Sequence, residues 1–424
     1  MEKITAQKGT KDVLPAESYR WQYLESVLKN TVAAFGYKEI RLPTFEATEL
    51  FSRGVGETTD VVGKEMYTFN DKGGRSITLR PEGTANTVRA ILEHGLLAEA
   101  LPVRAFYLQS CFRYEKPQSG RLREFHQLGI EMFGAAAPEA DVQVVATAAA
   151  CIANVGIRSV QLQLNSIGCP ACRPRYHEAL KSYFRLHLDE LCDTCKERLD
   201  RNPLRILDCK CPSCAAVAQG APLMPEFLCG ECREHFAAVK QGLDNIGIPY
   251  VENPTIVRGL DYYTRTVFEF VHTGAGAQGV VCGGGRYDGL VEQLGGKPMP
   301  GIGFGMGLER LLMVLEAEGA AFPADRVPDL YLCNMGAPAR LLAERVAAGL
   351  RAKGLWAETD VMGRGLKPQM KYANKTGARY TVVLGDDEVA AGRARLKRMS
   401  DGAEAEIALD QLAQSGPAEW EQLF

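Results

Sequence analysis

Apolar residues recur at positions 24, 27, 28, 32 and 35 of SYRWQYLESVLKNTVAAFG, the spacing of one helix face, and Gly36 is a suitable stop. KEIRLPTFE then reads as extended, with Pro43 tolerable only at a sheet edge or bulge. Residues 76–97, SITLRPEGTANTVRAILEHGLL, predict a strand entering a Pro-Glu-Gly turn and a helix leaving it. A hairpin is expected over 104–134, and its second strand carries an unusual alternation. Leu128, Ile130 and Met132 fall on one side, a core face; Phe125, Gln127, Gly129, Glu131 and Phe133 fall on the other. A carboxylate and an amide over a glycine floor suggest a small pocket for a polar ligand. The alternative is a half-buried strand with ordinary hydrogen-bonded polar residues.

Matching the apolar faces of the two hairpin strands fixes their register. It puts Gln109, Cys111, Arg113 and Glu115 on the side of Gln127 and Glu131. A guanidinium beside a concave polar face can grip a phosphate with two hydrogen bonds. The connecting loop, KPQSGRLR, is basic: it can track a nucleic-acid backbone or be a solvated hairpin tip.

Further on, GIGFGMGLERLL alternates glycines at 301, 303, 305 and 307, so a strand here has one face bare of side chains, on which a flat ring could lie. In the helix that follows, Leu308, Leu311, Leu312 and Leu315 form the core stripe and leave Arg310 off it. Neither a GxxxxGK[ST] loop nor a GxGxxG turn occurs. Glu82, in RPEG, stands at a helix entrance, where it can cap amides or meet an ammonium. RGLDYYTR (258–265) crowds two arginines, an aspartate and two tyrosines into eight residues, a composition suited to a ligand site or to a Tyr-rich turn in the core.

After FPADRVPD, a linker by its prolines, strand and helix patterns alternate as β-α-β-α-β, which favours a small separate α/β domain. The length of 424 residues agrees with two or three domains. A net charge of −3 argues against a blanket nucleic-acid coat but leaves room for local basic patches. No apolar run approaches bilayer length, so no membrane partner is expected. MEKITAQKGTKDVLP has no signal-peptide core, so a cytoplasmic protein is expected. None of the six histidines pairs with a Cys or Ser in a nucleophilic arrangement.

Nine of the thirteen cysteines fall between 169 and 232, as CPAC, CDTC, CKCPSC and CGEC. In a reducing compartment such pairs are more often metal ligands than disulfides, and the four pairs allow one zinc site or two, or none. This region, 165–245, is expected to be an inserted domain.

The chain resembles the histidyl-tRNA synthetase family over essentially its full length. LPTFE with Pro43 is similar to the dimer-interface motif 1, FRYE…EFHQLGIEMFG to motif 2 and GIGFGMGLERL to motif 3 of class II aminoacyl-tRNA synthetases. RGLDYYTRTVFEF and GVVCGGGRYDG resemble the two segments peculiar to the histidine enzymes. The resemblance implies a multidomain chain of α/β and α+β parts. An antiparallel-sheet class II catalytic domain would span 1–325, with the insertion at 165–245, and a small α/β anticodon-binding domain would span 328–424.

It also implies roles. Arg113 and Arg310 would hold ATP phosphates, with Phe125 and the Gly303–Gly305 strand near the adenosine. Glu82, Thr84 and Gln127 would bind the α-ammonium of L-histidine, Glu131 and Tyr263 its imidazole, with Tyr262 lining the pocket. Arg258 would sit by the reacting carboxylate and α-phosphate, with Mg²⁺ accompanying ATP. Lys116, Gln118, Arg121 and Arg123 would meet the acceptor end of the histidine tRNA, and the molecule would be a homodimer. Lys367, Lys371, Lys375 and Arg379 would form one face of a helix with Pro368 in its first turn, either a phosphate-contacting stripe or a solvated one.

The family resemblance does not itself require the cysteine pairs. For zinc, the expected set is Cys192, Cys195, Cys229 and Cys232, a structural site because four thiolates leave no open position. Two rivals explain part of the pattern. A synthetase-like, histidine-sensing regulatory subunit of ATP phosphoribosyltransferase would bind without charging tRNA; the resemblance implies that it would lack the C-terminal domain and parts of the catalytic signature. A zinc-ribbon nucleic-acid-binding protein would explain the cysteines but not the polar face around Arg113, Gln127 and Glu131.

Overall fold

A computed structural model describes residues 3–56, 59, 61–118, 120–274 and 279–424, with Val61 described by its backbone alone. Two compact units emerge, Met1–Pro323 and Ala324–Phe424.

The first unit is built on an eight-stranded sheet. Its order is Lys38–Glu39, Val103–Phe112, Glu124–Phe133, Gly301–Gly307, Val280–Arg286, Thr264–His272, Val160–Ser166 and Tyr250–Glu252. Neighbours run antiparallel except for the parallel pairs at the two edges. Chain order differs from spatial order, so segments far apart in sequence meet at the sheet centre, where the hairpin lies beside the glycine strand.

One face of this sheet is the main core. Leu128, Ile130 and Met132 of the hairpin are buried with Ile302, Phe304 and Met306, against Leu24, Leu28 and Val32 of the helix Pro15–Ala34. Leu308, Leu311 and Leu315 close the same core, as their stripe predicts. Each such side chain contributes roughly 1.5–3 kcal/mol by leaving water. Beneath the sheet lies a buried charge cluster. Arg286, fully buried, donates from Nε and Nη2 to Asp141 Oδ2 at 2.7 and 2.6 Å. Asp141 Oδ1 lies 3.2 Å from Nε2 of His235. Although burial opposes it, His235 and Arg286 hold the Asp141 carboxyl below its ordinary range.

A three-stranded sheet (Phe45–Ala47, Ser76–Leu79, Tyr67–Asn70) precedes the RPEG turn and the helix Thr84–Glu93, as the pattern over 76–97 predicts. Pro43 lies between strands rather than within one. The cysteine-rich stretch sits between the strands Val160–Ser166 and Tyr250–Glu252 as a run of helices with a hydrophobic cluster of its own, centred on Tyr176, Leu180, Phe184, Leu199 and Ile206. Its last helix, Gly230–Asn245, turns back to give Phe236, Val239 and Leu243 to the main core.

The second unit begins with the alternation read from sequence. Leu330–Asn334, Ala357–Thr359 and Tyr380–Leu384 pair in parallel, with the helices Ala337–Ala352 and Leu366–Lys375 between them. An antiparallel pair, Arg393–Arg398 and Glu404–Ala408, extends this sheet and was not anticipated. Pro368 does lie in the first turn of its helix, and Lys367, Lys371 and Lys375 are exposed. Arg379 is a correction: the helix ends at Lys375 and Gly377 takes a φ of 73°, so Arg379 leaves the stripe and pairs with Asp329 at 3.3 Å.

Candidate active site

The register of the hairpin sets the pocket. Gln109 faces Gln127, Tyr107 faces Gly129 and Ala105 faces Glu131, so Tyr107, Gln109, Gln127 and Glu131 share one side. The glycine floor is not an open cavity. A Cβ at Gly129 would overlap the ring of Tyr107, which fills the space the missing side chain leaves. Tyr107 escaped the sequence reading, although a bulky residue facing a glycine across a hairpin is a usable signal.

Glu131 is 1% exposed and is the convergence point of the pocket. Its Oε1 accepts from the Thr84 hydroxyl at 2.7 Å and from Tyr107 at 3.3 Å, while Oε2 accepts from Tyr287. All three partners are neutral hydroxyls. Burial therefore dominates and pushes the Glu131 carboxyl up to about 8. Glu82 caps its helix: its oxygens accept from the amides of Thr84 at 2.5 Å and Ala85 at 2.9 Å. Burial raises Glu82 as well, against those amide bonds. Arg80 ties this turn down by donating to the carbonyls of Ser110, Leu42 and Pro43.

The glycines of the strand Gly301–Gly307 prove necessary for a different reason from a bare shelf. A Cβ at Gly303 would overlap Glu131 Oε2 and the Ile130 carbonyl oxygen, one at Gly305 would overlap Gln127, and one at Gly301 would overlap Tyr287. The expected bare face is thus covered by pocket side chains, and of the four only Gly307 has open space where a Cβ would be. The Gly283–Gly285 run works in the same way: Gly283 leaves room for the Arg258 guanidinium and Gly285 for the Thr266 carbonyl oxygen, with Val267 and the ring of Tyr263 close by.

Tyr262 and Tyr263 are buried, their ring centroids 4.8 Å apart, and Tyr262 lies 5.6 Å from Tyr287. Arg258 stands 5.8 Å from the Tyr263 ring and is ion-paired with Glu269, which sequence reading missed; its Nε is buried without a hydrogen-bond partner. Arg113 stacks on Phe125 at 4.3 Å and donates to the Leu122 carbonyl at 3.0 Å. Burial lowers its guanidinium to about 10, with Arg121 and Arg310 adding repulsion. Arg310 donates to the Val280 carbonyl at 2.6 Å. A cavity of about 760 Å³ opens here, lined by Glu115, Lys116, Gln118, Arg121, Glu269 and Arg310 among others. Of the hairpin-loop residues, Lys116 and Gln118 are exposed, Arg121 is paired with Glu115, and Arg123 lies over Tyr114 at 4.3 Å.

The cysteines group differently from expectation. Among the described residues, Cys169, Cys172, Cys229 and Cys232 form one cluster, and Cys192, Cys195, Cys209 and Cys214 another. The set Cys192, Cys195, Cys229 and Cys232 is therefore corrected. Helix packing brings the two ends of the inserted stretch together, so its first and last pairs meet, while the middle pairs meet within it.

The second unit corresponds to a known module: the anticodon-binding domain family matches residues 330–415. Joined to an antiparallel sheet with a buried, arginine-flanked pocket, it defines an aminoacyl-tRNA synthetase. The chain belongs to the histidyl-tRNA synthetase family, whose model matches residues 9–171 and 177–311. The histidine–tRNA ligase of Acetivibrio thermocellus is 55% identical over 407 residues, spanning 96% of this chain and 98% of that protein. That of Caldanaerobacter subterraneus subsp. tengcongensis is 53% identical over the same shares. The crystal structure of apo S. aureus histidyl-tRNA synthetase superposes with a TM-score of 0.83 at 39% identity, covering 97% of this chain and 99% of that one.

Proposed function

We propose that the chain joins L-histidine to its tRNA in two steps at the expense of ATP, within a class II catalytic domain. The histidine carboxylate attacks the α-phosphorus of ATP and pyrophosphate leaves; the terminal ribose hydroxyl of the tRNA then takes the histidyl group and AMP departs. Such transfers need positioning and charge stabilisation rather than a protein nucleophile. The observation that carries the reading is Glu131, a buried carboxylate met only by neutral hydroxyls. A ligand offering an imidazole N–H adds the donor that favours its ionised form, and one lacking that donor leaves its charge met by neutral hydroxyls alone.

Tyr263 and Tyr262 would flank the imidazole, and Glu82, Thr84 and Gln127 would take the α-ammonium. Arg258, already buried, would shift from Glu269 toward the reacting carboxylate and α-phosphate. Arg113 and Arg310 would hold the phosphates, with Phe125 toward the adenosine; at Gly303 and Gly305 the side-chain space is taken by Glu131 and Gln127, so these glycines would meet the adenosine only through their backbone. ATP enters as its Mg²⁺ complex, and Glu115 and Glu269 on the cavity wall are hard oxygen donors of the kind Mg²⁺ accepts. Lys116, Gln118, Arg121 and Arg123 would meet the acceptor end, and the exposed lysine stripe of the second unit would meet anticodon-stem phosphates. Phe45 and Phe69, 56% and 48% exposed on the small sheet, are apolar surface that a second copy would cover in a homodimer. Among the described residues no helix is long and apolar enough to cross a membrane, and the reaction would belong to the cytoplasm, where tRNA is charged.

The regulatory-subunit reading is set aside by the anticodon-binding domain and by the near-full-length likeness to ligases. The test is exchange of labelled pyrophosphate into ATP. Exchange with histidine alone among the amino acids, lost in Glu131→Ala, is expected. Measurable histidine binding without exchange would overturn the reading.

A further inference from the structure

We infer that the inserted stretch holds two independent zinc ions, each in a closed tetrathiolate site, and that they clasp the loop 258–265 against the sheet. In each cluster all four sulfurs lie within 4.8 Å of one another. A tetrahedron with Zn–S bonds of about 2.3 Å has S···S edges of about 3.8 Å. The measured separations are 3.6 Å for Cys169–Cys172, 3.9 Å for Cys169–Cys229 and 3.9 Å for Cys192–Cys209. These are too long for disulfides, which need about 2.05 Å. Four sulfurs all within 4.8 Å of one another are too compact for an iron–sulfur cluster, which spreads its four thiolates over two or more irons. The sets are single-ion sets.

A second observation points the same way. Backbone amides are aimed at the sulfurs: the Cys229 N–H reaches Cys172 Sγ at 3.1 Å, and the Cys192 N–H reaches Cys214 Sγ at 3.2 Å. Such bonds stabilise thiolates, the form that binds metal. The ninth cysteine is an internal control. Cys211, one residue from Cys209 by alternation, stays out of both clusters and lies 3.4 Å from the Ser213 hydroxyl. The local core, made of helices and short turns between 172 and 232, is of the size that ordinarily requires cross-links or metals.

The consequence for the pocket follows from what flanks the ligands. Gly168, beside Cys169, accepts from the Arg265 amide at 2.8 Å and the Thr264 hydroxyl at 3.1 Å. Arg173, beside Cys172, donates to the Tyr263 carbonyl, and Glu231, between Cys229 and Cys232, lies 3.5 Å from Arg265. From the second cluster's neighbourhood, Asn202 donates to Asp261 at 2.9 Å and Arg205 to the Arg258 carbonyl at 3.3 Å. Arg265 itself has a φ of 53°, a strained value for a side-chain-bearing residue that these bonds hold in place. The zinc ions are structural, and they position Arg258, Tyr262 and Tyr263 through the backbone.

Elemental analysis of the full chain, reconstituted with zinc under a thiol reductant and gel-filtered, tests the count. Two zinc ions per chain are expected, falling to one in Cys232→Ser and to one in Cys195→Ser, with Cys211→Ser unchanged at two. Should the first two variants not fold, titration of the native protein with a mercurial replaces them: two zinc ions are released as the eight clustered thiols are blocked, while Cys211 reacts without releasing any. One zinc or none, bound iron instead, or loss of metal in Cys211→Ser overturns the inference. For the clasp, hydrogen exchange of amides 258–265 quickens by roughly tenfold or more on zinc removal; unchanged exchange overturns it. Neither readout depends on ligation, so a failure of pyrophosphate exchange leaves both standing.

Discussion

Two carboxylates are equally hidden in the catalytic unit and are treated in opposite ways. Asp141 is given a cation: Arg286 meets one oxygen and His235 the other, while Asp288 and two carbonyls take the rest of the guanidinium. Glu131 is given hydroxyls only. The first is complete without a ligand and stays ionised. The second is pushed up to about 8 and has no cation of its own among the described residues that meet it. A buried group whose charge is already answered belongs to the architecture; one whose charge is left for an incoming donor belongs to the chemistry.

The largest effect expected is on activity. Glu131→Gln keeps the shape of the pocket but removes the carboxylate that selects an imidazole N–H. Histidine-dependent pyrophosphate exchange should fall by roughly a thousandfold or more in kcat/KM. The unfolding midpoint in urea should not fall, because no charge is stranded. A Glu131→Gln enzyme within tenfold of wild type would erase the distinction between the two carboxylates. Asp141→Asn should do the reverse. It removes the closer of the two carboxylates that meet the fully buried Arg286, leaving Asp288 at 3.2 Å, and losing one partner of a buried pair costs up to about 3–5 kcal/mol. Urea unfolding measures this, and a loss below about 1 kcal/mol would show that Asp288 and the carbonyls hold Arg286 without it. Gly303→Ala comes next. Its Cβ would press on Glu131 Oε2 and on the Ile130 carbonyl, and the backbone oxygen cannot yield. About 1–3 kcal/mol of stability should go, with a rise in KM for histidine as Glu131 is displaced. An unaltered KM would mean that the glycine serves packing alone.

The same contrast explains what the sequence made legible. Gln127 and Glu131 stood out because strand periodicity separates faces locally, within ten residues. Register followed from the same alternation, so Arg113 could be placed beside them. Tyr107 was within reach, since Gly129 stands opposite it. Tyr287 and Glu269 were not, because they arrive from strands paired across the sheet rather than along the chain. Asp141 and Arg286 are likewise apart in sequence, and no local pattern announces their pairing. The cysteines fail for a related reason. Spacing identifies a pair as a ligand knuckle, but which knuckles meet depends on how helices fold back, and that is a tertiary fact. The antiparallel end of the second sheet was lost because Arg393–Arg398 and Glu404–Ala408 are largely charged or small, with few apolar positions to mark a strand.

The smallest effect is the most discriminating, because the two carboxylates should respond to pH with opposite signs. Glu131 has an ordinary value of 4.5 and is raised to about 8 in the folded chain. Folding therefore favours its protonated form. The stability this contributes is fully present below 4.5, declines as pH rises through about 8, and is absent above. Glutamine carries no such dependence, so Glu131→Gln should gain on the wild type by a few kcal/mol at most between pH 5 and 9, levelling above about 8. Asp141 is lowered from 3.8, so its stabilisation is present above that value and lost as pH falls through the folded one. The deficit of Asp141→Asn should accordingly be full at neutral pH and shrink only in acid. Urea midpoints of the three proteins across pH 4 to 9 decide it. Parallel curves for the two variants would mean that the hydroxyls around Glu131 stabilise its anion as effectively as Arg286 stabilises Asp141, and the carboxylate would then have no unmet charge with which to recognise histidine.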